Sequence, residues 1–192
     1  MQSRSNSMLF WPVLGFVTLL DVVTKAFAEQ MLAPQRIPHE VLGNTVRLTL
    51  VYNPGAAFGL HLGPQSRWIF TALTIVALVI LARLYRATAR GDVPRTLALA
   101  LVCAGAFGNL VDRLRSEMGV VDFLDIGFGD ARWPTFNVAD MAVSVGAMLL
   151  AWVLWQEDRA AVSRDMAARV LTPSSPTPST SVASAVESGD LI

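Results

Sequence analysis

Long apolar runs, broken by charge mostly at one end, set the pattern of this chain. Four stretches, 8–28, 68–85, 96–111 and 138–155, are rich in Leu, Val, Ile, Ala and Phe and are joined by three connections. A membrane-crossing helix needs about 20 such residues, within a range of about 17–25. The pattern therefore predicts four transmembrane helices, the third one short unless its polar end, GNLVDR, is counted. Trp11, Trp68, Tyr85, Trp152 and Trp155 fall near segment ends, where amphipathic rings anchor at the bilayer interface. The first stretch reads as a retained helix rather than a cleaved leader. Asp21 and Lys25 interrupt the region where a small-residue cleavage site would fall.

Two sizeable connections lie on the same side. In the first, residues 31–65, the run VRLTLVYN has β-branched residues in partial alternation and predicts one or two short strands, closed by a turn at NPG. The expected fold is thus mainly α, with a small β-rich extramembrane element between helices 1 and 2. The second, residues 114–135, contains GVVDFLDIGFGD, which alternates poorly and reads as an interfacial segment ending in a turn. The expected division is an N-terminal segment (1–7), a membrane domain (8–158) and a largely disordered tail (159–192). Beyond residue 172 that tail is a Ser/Thr/Pro/Ala-rich stretch, which cannot bury a core.

Composition agrees. Hydrophobic residues make up 53% and charged residues 16% of the 192, against about 25% charged in soluble domains. Formal net charge is zero, so nothing suggests a nucleic-acid partner. The single cysteine, Cys103, lies in an apolar run and reads as a buried small hydrophobe. Placing both termini inside puts eight of the 15 Lys and Arg residues on the inner side, a bare majority. The short connection carrying Arg83, Arg86, Arg90 and Arg95 is the better indicator, because short loops weigh most in setting orientation.

With that orientation, Asp21, Lys25, Asn53, Asn109, Asp112, Arg113, Asp122, Asn137 and Asp140 gather at or near the outer ends. Ionisable groups in or beside membrane helices are costly and mark functional sites by default. The two histidines, His39 and His61, have neither the spacing nor the cysteine partners of a zinc site. Lys25 is the only lysine and no serine stands in a motif beside it, so a Ser–Lys dyad is unsupported. Elimination leaves paired carboxylates. Two held close share one proton, so that one activates a water while the other donates to a carbonyl oxygen.

Each residue also has a plainer reading. Asp21 and Lys25, four apart, form a pair that could simply end the helix. Asp140 could be a first-turn acid behind Asn137 as N-cap, and Asp122 an ordinary loop carboxylate. Arg113 could grip a phosphate or carbonyl, or cap its helix. Gly105 and Gly108 leave a smooth surface for close helix packing. The joint placement of Asp122 and Asp140 among Asn and Arg side chains favours the catalytic reading.

Five blocks in order, DVVTK (21–25), NPGAAF (53–58), GNLVDR (108–113), VVDF (120–123) and FNVAD (136–140), resemble the lipoprotein signal peptidases, or signal peptidases II. These are bacterial membrane aspartic endopeptidases that remove the signal peptide from prolipoproteins, cutting just before a diacylglyceryl-modified cysteine. The resemblance covers residues 8–155. It implies a catalytic dyad of Asp122 and Asp140, with Asn53, Asn109, Arg113 and Asn137 lining or supporting the substrate site. Asp21, Lys25, Gly108 and Asp112 would hold the scaffold. No metal or organic cofactor is expected. Membrane lipid and diacylglyceryl-modified prolipoproteins are the expected partners of a monomer in the bacterial inner membrane, its active site at the outer face. Ala104 stands where such proteins often have glycine, and Asp125 and Asp130 are rival carboxylates outside any motif. A small proton-coupled carrier relaying through Asp21, Asp112 and Asp140 is the alternative, but it would need ionisable groups nearer the midplane.

Overall fold

The structure, a computed structural model, describes residues 6–55, 63 and 65–171. Of these, the residues up to Trp155 form one compact unit and residues 156–171 belong to a second. Along the chain run α1 (Ser7–Met31), β1 (Pro38–Leu42), β2 (Val46–Asn53), α2 (Ser66–Ala87), α3 (Val93–Arg115), β3 (Val120–Phe128), β4 (Ala131–Arg132) and α4 (Val138–Leu171). All four helices are long and apolar enough to cross a membrane. The expected tail beyond residue 171 lies outside the described residues, as do the last three residues of NPGAAF.

The third helix is 23 residues long, not marginal. Asp92 caps its start by accepting from the Arg95 backbone N–H, and its polar far end continues as helix because that end is buried in protein rather than lipid. α3 is the central helix, with α1, α2 and the first part of α4 against it. At Gly105, a Cβ would collide with the Ala139 carbonyl and lie 2.7 Å from Val143. At Gly146, a Cβ would lie 2.7 Å from Val102 and 2.9 Å from the Ala98 carbonyl. Bare glycine surfaces thus let α3 and α4 touch backbone to backbone. The outward faces are apolar and exposed, for example Phe16, Leu73, Val76, Val79 and Met148, as lipid-facing positions require. The fourth helix continues past the expected end at residue 155, and residues 156–167 are exposed.

Near the N-terminus, Asn6 donates to the Ala89 carbonyl at 2.8 Å and accepts from the Gly91 N–H at 2.9 Å. The start of α1 therefore sits beside the α2–α3 connection. Phe10 stacks on Tyr85 there and joins Leu99, Ala100 and Cys103 in one apolar cluster.

At the other end lies a four-stranded antiparallel sheet in the order β1-β2-β3-β4. Its first two strands come from the α1–α2 connection, as expected. The α3–α4 connection supplies the rest, so GVVDFLDIGFGD is a central strand and its turn. Alternation fails in it for a physical reason: Val120, Val121, Asp122 and Phe123 are all buried, leaving no solvent face to alternate with. The register sets Asp122 opposite Val51 and Val120 opposite Asn53. Gly119, with φ +99°, makes the turn into β3 where any Cβ would overlap the Asn53 carbonyl. Ala28 and Leu32 from the end of α1 pack with Leu50, Val121 and Phe123, seating the sheet on the bundle.

Candidate active site

Asp21 and Lys25, one turn apart on α1, meet at 2.7 Å. Lys25 Nζ also lies 2.9 Å from Asp112 Oδ2 and donates to Asn109 Oδ1 at 2.8 Å, both on α3. Asp21, Lys25 and Asp112 are 2% exposed or less. Two carboxylates and an amide oxygen thus surround the ammonium within 2.9 Å, the close pairing that a charge buried this deeply requires.

The two acids reach beyond the lysine. Asp21 Oδ1 accepts from the Ala139 backbone N–H at 2.8 Å. Asp112 Oδ2 accepts from the Val121 backbone N–H at 3.2 Å. Ala139 precedes Asp140, and Val121 precedes Asp122. One buried ion triad thus fixes the main chain immediately before each candidate catalytic aspartate. Gly108 makes room for this: a Cβ there would lie 2.5 Å from Asp21 Oδ2.

Above the triad two asparagines connect it to the carboxylates. Asn109 Oδ1 faces Lys25, which can only donate, so its amide nitrogen must face the other way, and it donates to Asp140 Oδ1 at 2.8 Å. Asn137, fully buried, donates from Nδ2 to Asp122 Oδ1 at 2.7 Å. As the N-cap of α4 it accepts from the Asp140 N–H at 2.9 Å. Asn53 completes the ring by donating to Asp122 Oδ2 at 3.2 Å, its own oxygen turned back to the Gly55 N–H in the NPG turn. The segment before α4 is tied laterally to β3, the Phe136 carbonyl accepting from Leu124 at 2.8 Å.

Asp122 and Asp140 both line a cavity of about 670 Å³, with Asn53, Asn109 and Arg113 in the same wall and Val51, Phe136, Met141 and Val143 making it largely apolar. Burial pushes the Asp122 carboxyl up to about 7, and the neighbouring Asp140 charge adds to the rise; the amides of Asn53 and Asn137 oppose it. Arg113 donates along its helix to the Asn109 carbonyl at 3.2 Å and reaches toward the Gly55 carbonyl. It does not cap α3. Arg67, in the first turn of α2, does so by donating to the Arg113 and Leu114 carbonyls while lying 4.8 Å over the Trp68 ring.

All nine polar residues singled out in the sequence therefore converge on this cavity or the triad beneath it. Asp125 lies apart. Burial would raise its carboxyl, but hydrogen bonds from Arg132 and Thr49 and the charges of Arg132 and Arg47 outweigh that and hold it below the usual range. Sequence reasoning passed over Glu29 and Arg115, which join at 3.1 Å while Tyr52 Oη donates to Glu29. It also passed over Trp133, part of the cavity wall. The one available signal was a charged residue in the last turn of each of two apolar helices.

Comparisons of the sequence with known proteins agree on a single family. The family described as signal peptidase (SPase) II matches residues 13–156. A lipoprotein signal peptidase of Halothermothrix orenii is 40% identical over 148 residues, 77% of this chain and 95% of that protein. One from Paraburkholderia phytofirmans is 42% identical over 153 residues, 77% of this chain and 86% of its own length. Two solved structures, each described as a bacterial membrane enzyme determined by the in meso method, superpose with TM-scores of 0.73 and 0.70 at 28% and 29% identity. They cover 82% and 80% of this chain and 94% and 97% of their own.

Proposed function

Since this chain belongs to the signal peptidase II family and is a multi-pass membrane peptidase, we propose that it removes the signal peptide from diacylglyceryl-modified prolipoproteins through an Asp122–Asp140 dyad. The observation that carries the reading is the convergence of two carboxylates on one largely apolar cavity, each oriented by an asparagine amide.

Asp122, raised to about 7, holds the proton the pair shares. Ionised Asp140 takes a proton from a water, and the resulting hydroxide adds to the scissile carbonyl carbon. Asp122 gives its proton to the carbonyl oxygen. Collapse of the tetrahedral intermediate breaks the C–N bond, with Asp140 returning its proton to the leaving amine and Asp122 recovering one from the intermediate's hydroxyl. Asn109 and Asn137 hold the two carboxylates in place. Arg113 and Asn53 offer donors to carbonyl groups of the bound substrate. The cut falls just before the lipidated cysteine, and the apolar wall receives the signal segment.

Orientation follows from which ends carry what. The end of the bundle with Asn6 and the arginine-rich α2–α3 connection faces the cytoplasm, and the dyad lies at the outer face of the bacterial cytoplasmic membrane. Lys25 holds Asp21 and Asp112 in place as their shared counter-charge, which suits a scaffold and not a proton relay.

The test is cleavage of a purified diacylglyceryl-modified prolipoprotein by the detergent-solubilised protein, with Asp122→Asn and an unlipidated substrate alongside. Cleavage confined to the unmutated protein and the lipidated substrate is expected. Full activity in Asp122→Asn would overturn the dyad.

A further inference from the structure

The β3–β4 hairpin carries an apolar surface that the proposed reaction does not use. Phe128 and Trp133 are 78% and 61% exposed. With Ile126 and Phe136 they line a second cavity of about 540 Å³. Among the described residues Arg132 is the only charged one in its lining, and its guanidinium is already turned to Asp125 and to the Asn44 carbonyl. Aromatic side chains exposed in this way call for an apolar covering.

Two features identify what covers it. Trp133 and Phe136 belong to the lining of both cavities, so the second opens directly beside the one holding Asp122 and Asp140. The hairpin also runs through Phe136 straight into Asn137 and the first turn of α4, so it is continuous with a membrane-spanning surface. The lining side chains are largely apolar and suit a chain that has no hydrogen-bonding groups of its own. A hydrocarbon chain leaves nothing unsatisfied.

We propose that this hairpin cavity is an acyl-chain subsite: it takes one fatty-acyl chain of the diacylglyceryl group while the scissile bond lies at the dyad. The inference rests on the proposed prolipoprotein peptidase reading and deepens it. The lipid is attached to the residue just after the scissile bond, so any chain-binding surface must adjoin the catalytic cavity, and this one shares two of its walls. Lipid recognition would then come partly from a protein pocket rather than wholly from the bilayer.

The experiment compares kcat/KM for two synthetic prolipoprotein peptides, one with dipalmitoyl-glyceryl and one with dioctanoyl-glyceryl cysteine. It uses the full chain in nanodiscs, together with Ala131→Trp, which fills the cavity from its rim, and Phe128→Ser, which removes a wall. The unmutated protein is expected to prefer the long-chain substrate. Each variant should lose roughly tenfold of that preference, the worth of fewer than two buried methylenes, with dioctanoyl turnover unchanged. Long-chain preference that is absent, or that survives in both variants, would overturn the subsite and leave the chains to the bilayer. An equal fall for both substrates would overturn it too, because the hairpin would then be shaping the dyad cavity. Failure of the unmutated protein to cleave either peptide would overturn the peptidase reading itself.

Discussion

The Asn137 side-chain oxygen accepts a hydrogen bond from the Asp140 backbone N–H at 2.9 Å, and the Asp140 carboxylate accepts from the Asn137 backbone N–H at 3.3 Å. This is a reciprocal capping box on α4, with aspartate in the position usually held by glutamate or glutamine. Asp140 thus closes a helix end and faces the cavity at once, so folding and chemistry can be separated by choice of substitution. Asp140→Asn keeps an oxygen that can accept from Asn137 but turns its amide nitrogen toward the Asn109 donor, so it should cost about 1–3 kcal/mol of stability in detergent, while cleavage falls by about a thousandfold or more. Asp140→Ala should lose the cap too, costing a further 0.5–2 kcal/mol or so of stability. Equal activity in Asp140→Asn and the unmutated protein would remove Asp140 from the mechanism.

Lys25 is the position where loss should be felt most widely. Lys25→Met leaves Asp21 and Asp112 buried without a counter-charge, at a cost of about 3–5 kcal/mol. Asp112→Asn should cost less, because Lys25 keeps Asp21 and an asparagine oxygen can still accept from Val121. Melting curves of the two variants in one detergent give the order. Asp112→Asn melting below Lys25→Met would contradict it.

The raised Asp122 carboxyl makes stability depend on pH. An unfolded aspartate titrates near 4, whereas Asp122 in the fold titrates at about 7. Between those values the folded chain holds the extra proton, so this residue's contribution is full below about 4 and disappears as pH rises through about 7. The swing is of the order of a few kcal/mol. Melting temperature should fall between pH 5 and 8 in the unmutated protein and fall less in Asp122→Asn; parallel curves would assign the effect elsewhere. Cleavage should decline above about pH 7 as the dyad loses its shared proton.

Asp125 offers a control carboxylate on the same strand. Its side chain is engaged by Arg47, Arg132 and Thr49 away from the cavity. Because its carboxyl is held low, its stabilising contribution is present above the unfolded value and lost as pH falls through the folded one. Asp125→Asn should lower stability by about 1–3 kcal/mol and leave kcat within a few-fold. A loss of activity as deep as that of Asp122→Asn, measured on folded protein, would reopen the choice of dyad.

Helix packing gives the fifth expectation. Gly105→Ala puts a methyl group against the Ala139 carbonyl and pushes the first turn of α4 away from α3. Overpacking of this kind costs about 1–3 kcal/mol. Activity should fall more than stability implies, since Asp140 moves with that turn. Unchanged kcat would mean that the turn accommodates the methyl elsewhere.

Much of this was legible in the sequence because lipid makes polar residues conspicuous. Asp21, Lys25, Asn109 and Asp112 stand out of apolar helices, and one-turn spacing together with a shared membrane face is enough to group them. Less legible was what burial conceals. VVDF was not recognisable as a strand, because a strand buried on both faces has no alternation to read. The reach of α3 was underestimated for a related reason: hydropathy discounts a polar helix end that is buried in protein. Capping of α3 by Arg67 could not be read from Arg67 at all, because its acceptors lie on another helix.

The ion triad also bears on when the protein becomes active. Ala139 emerges during synthesis 118 residues after Asp21, yet Asp21 must meet the Ala139 N–H for α4 to start in place. A chain whose last helix has not yet docked holds one aspartate without its partner. An Asp122–Asp140 dyad held in this way would assemble only when the last helix docks, so the onset of cleavage would report completed insertion.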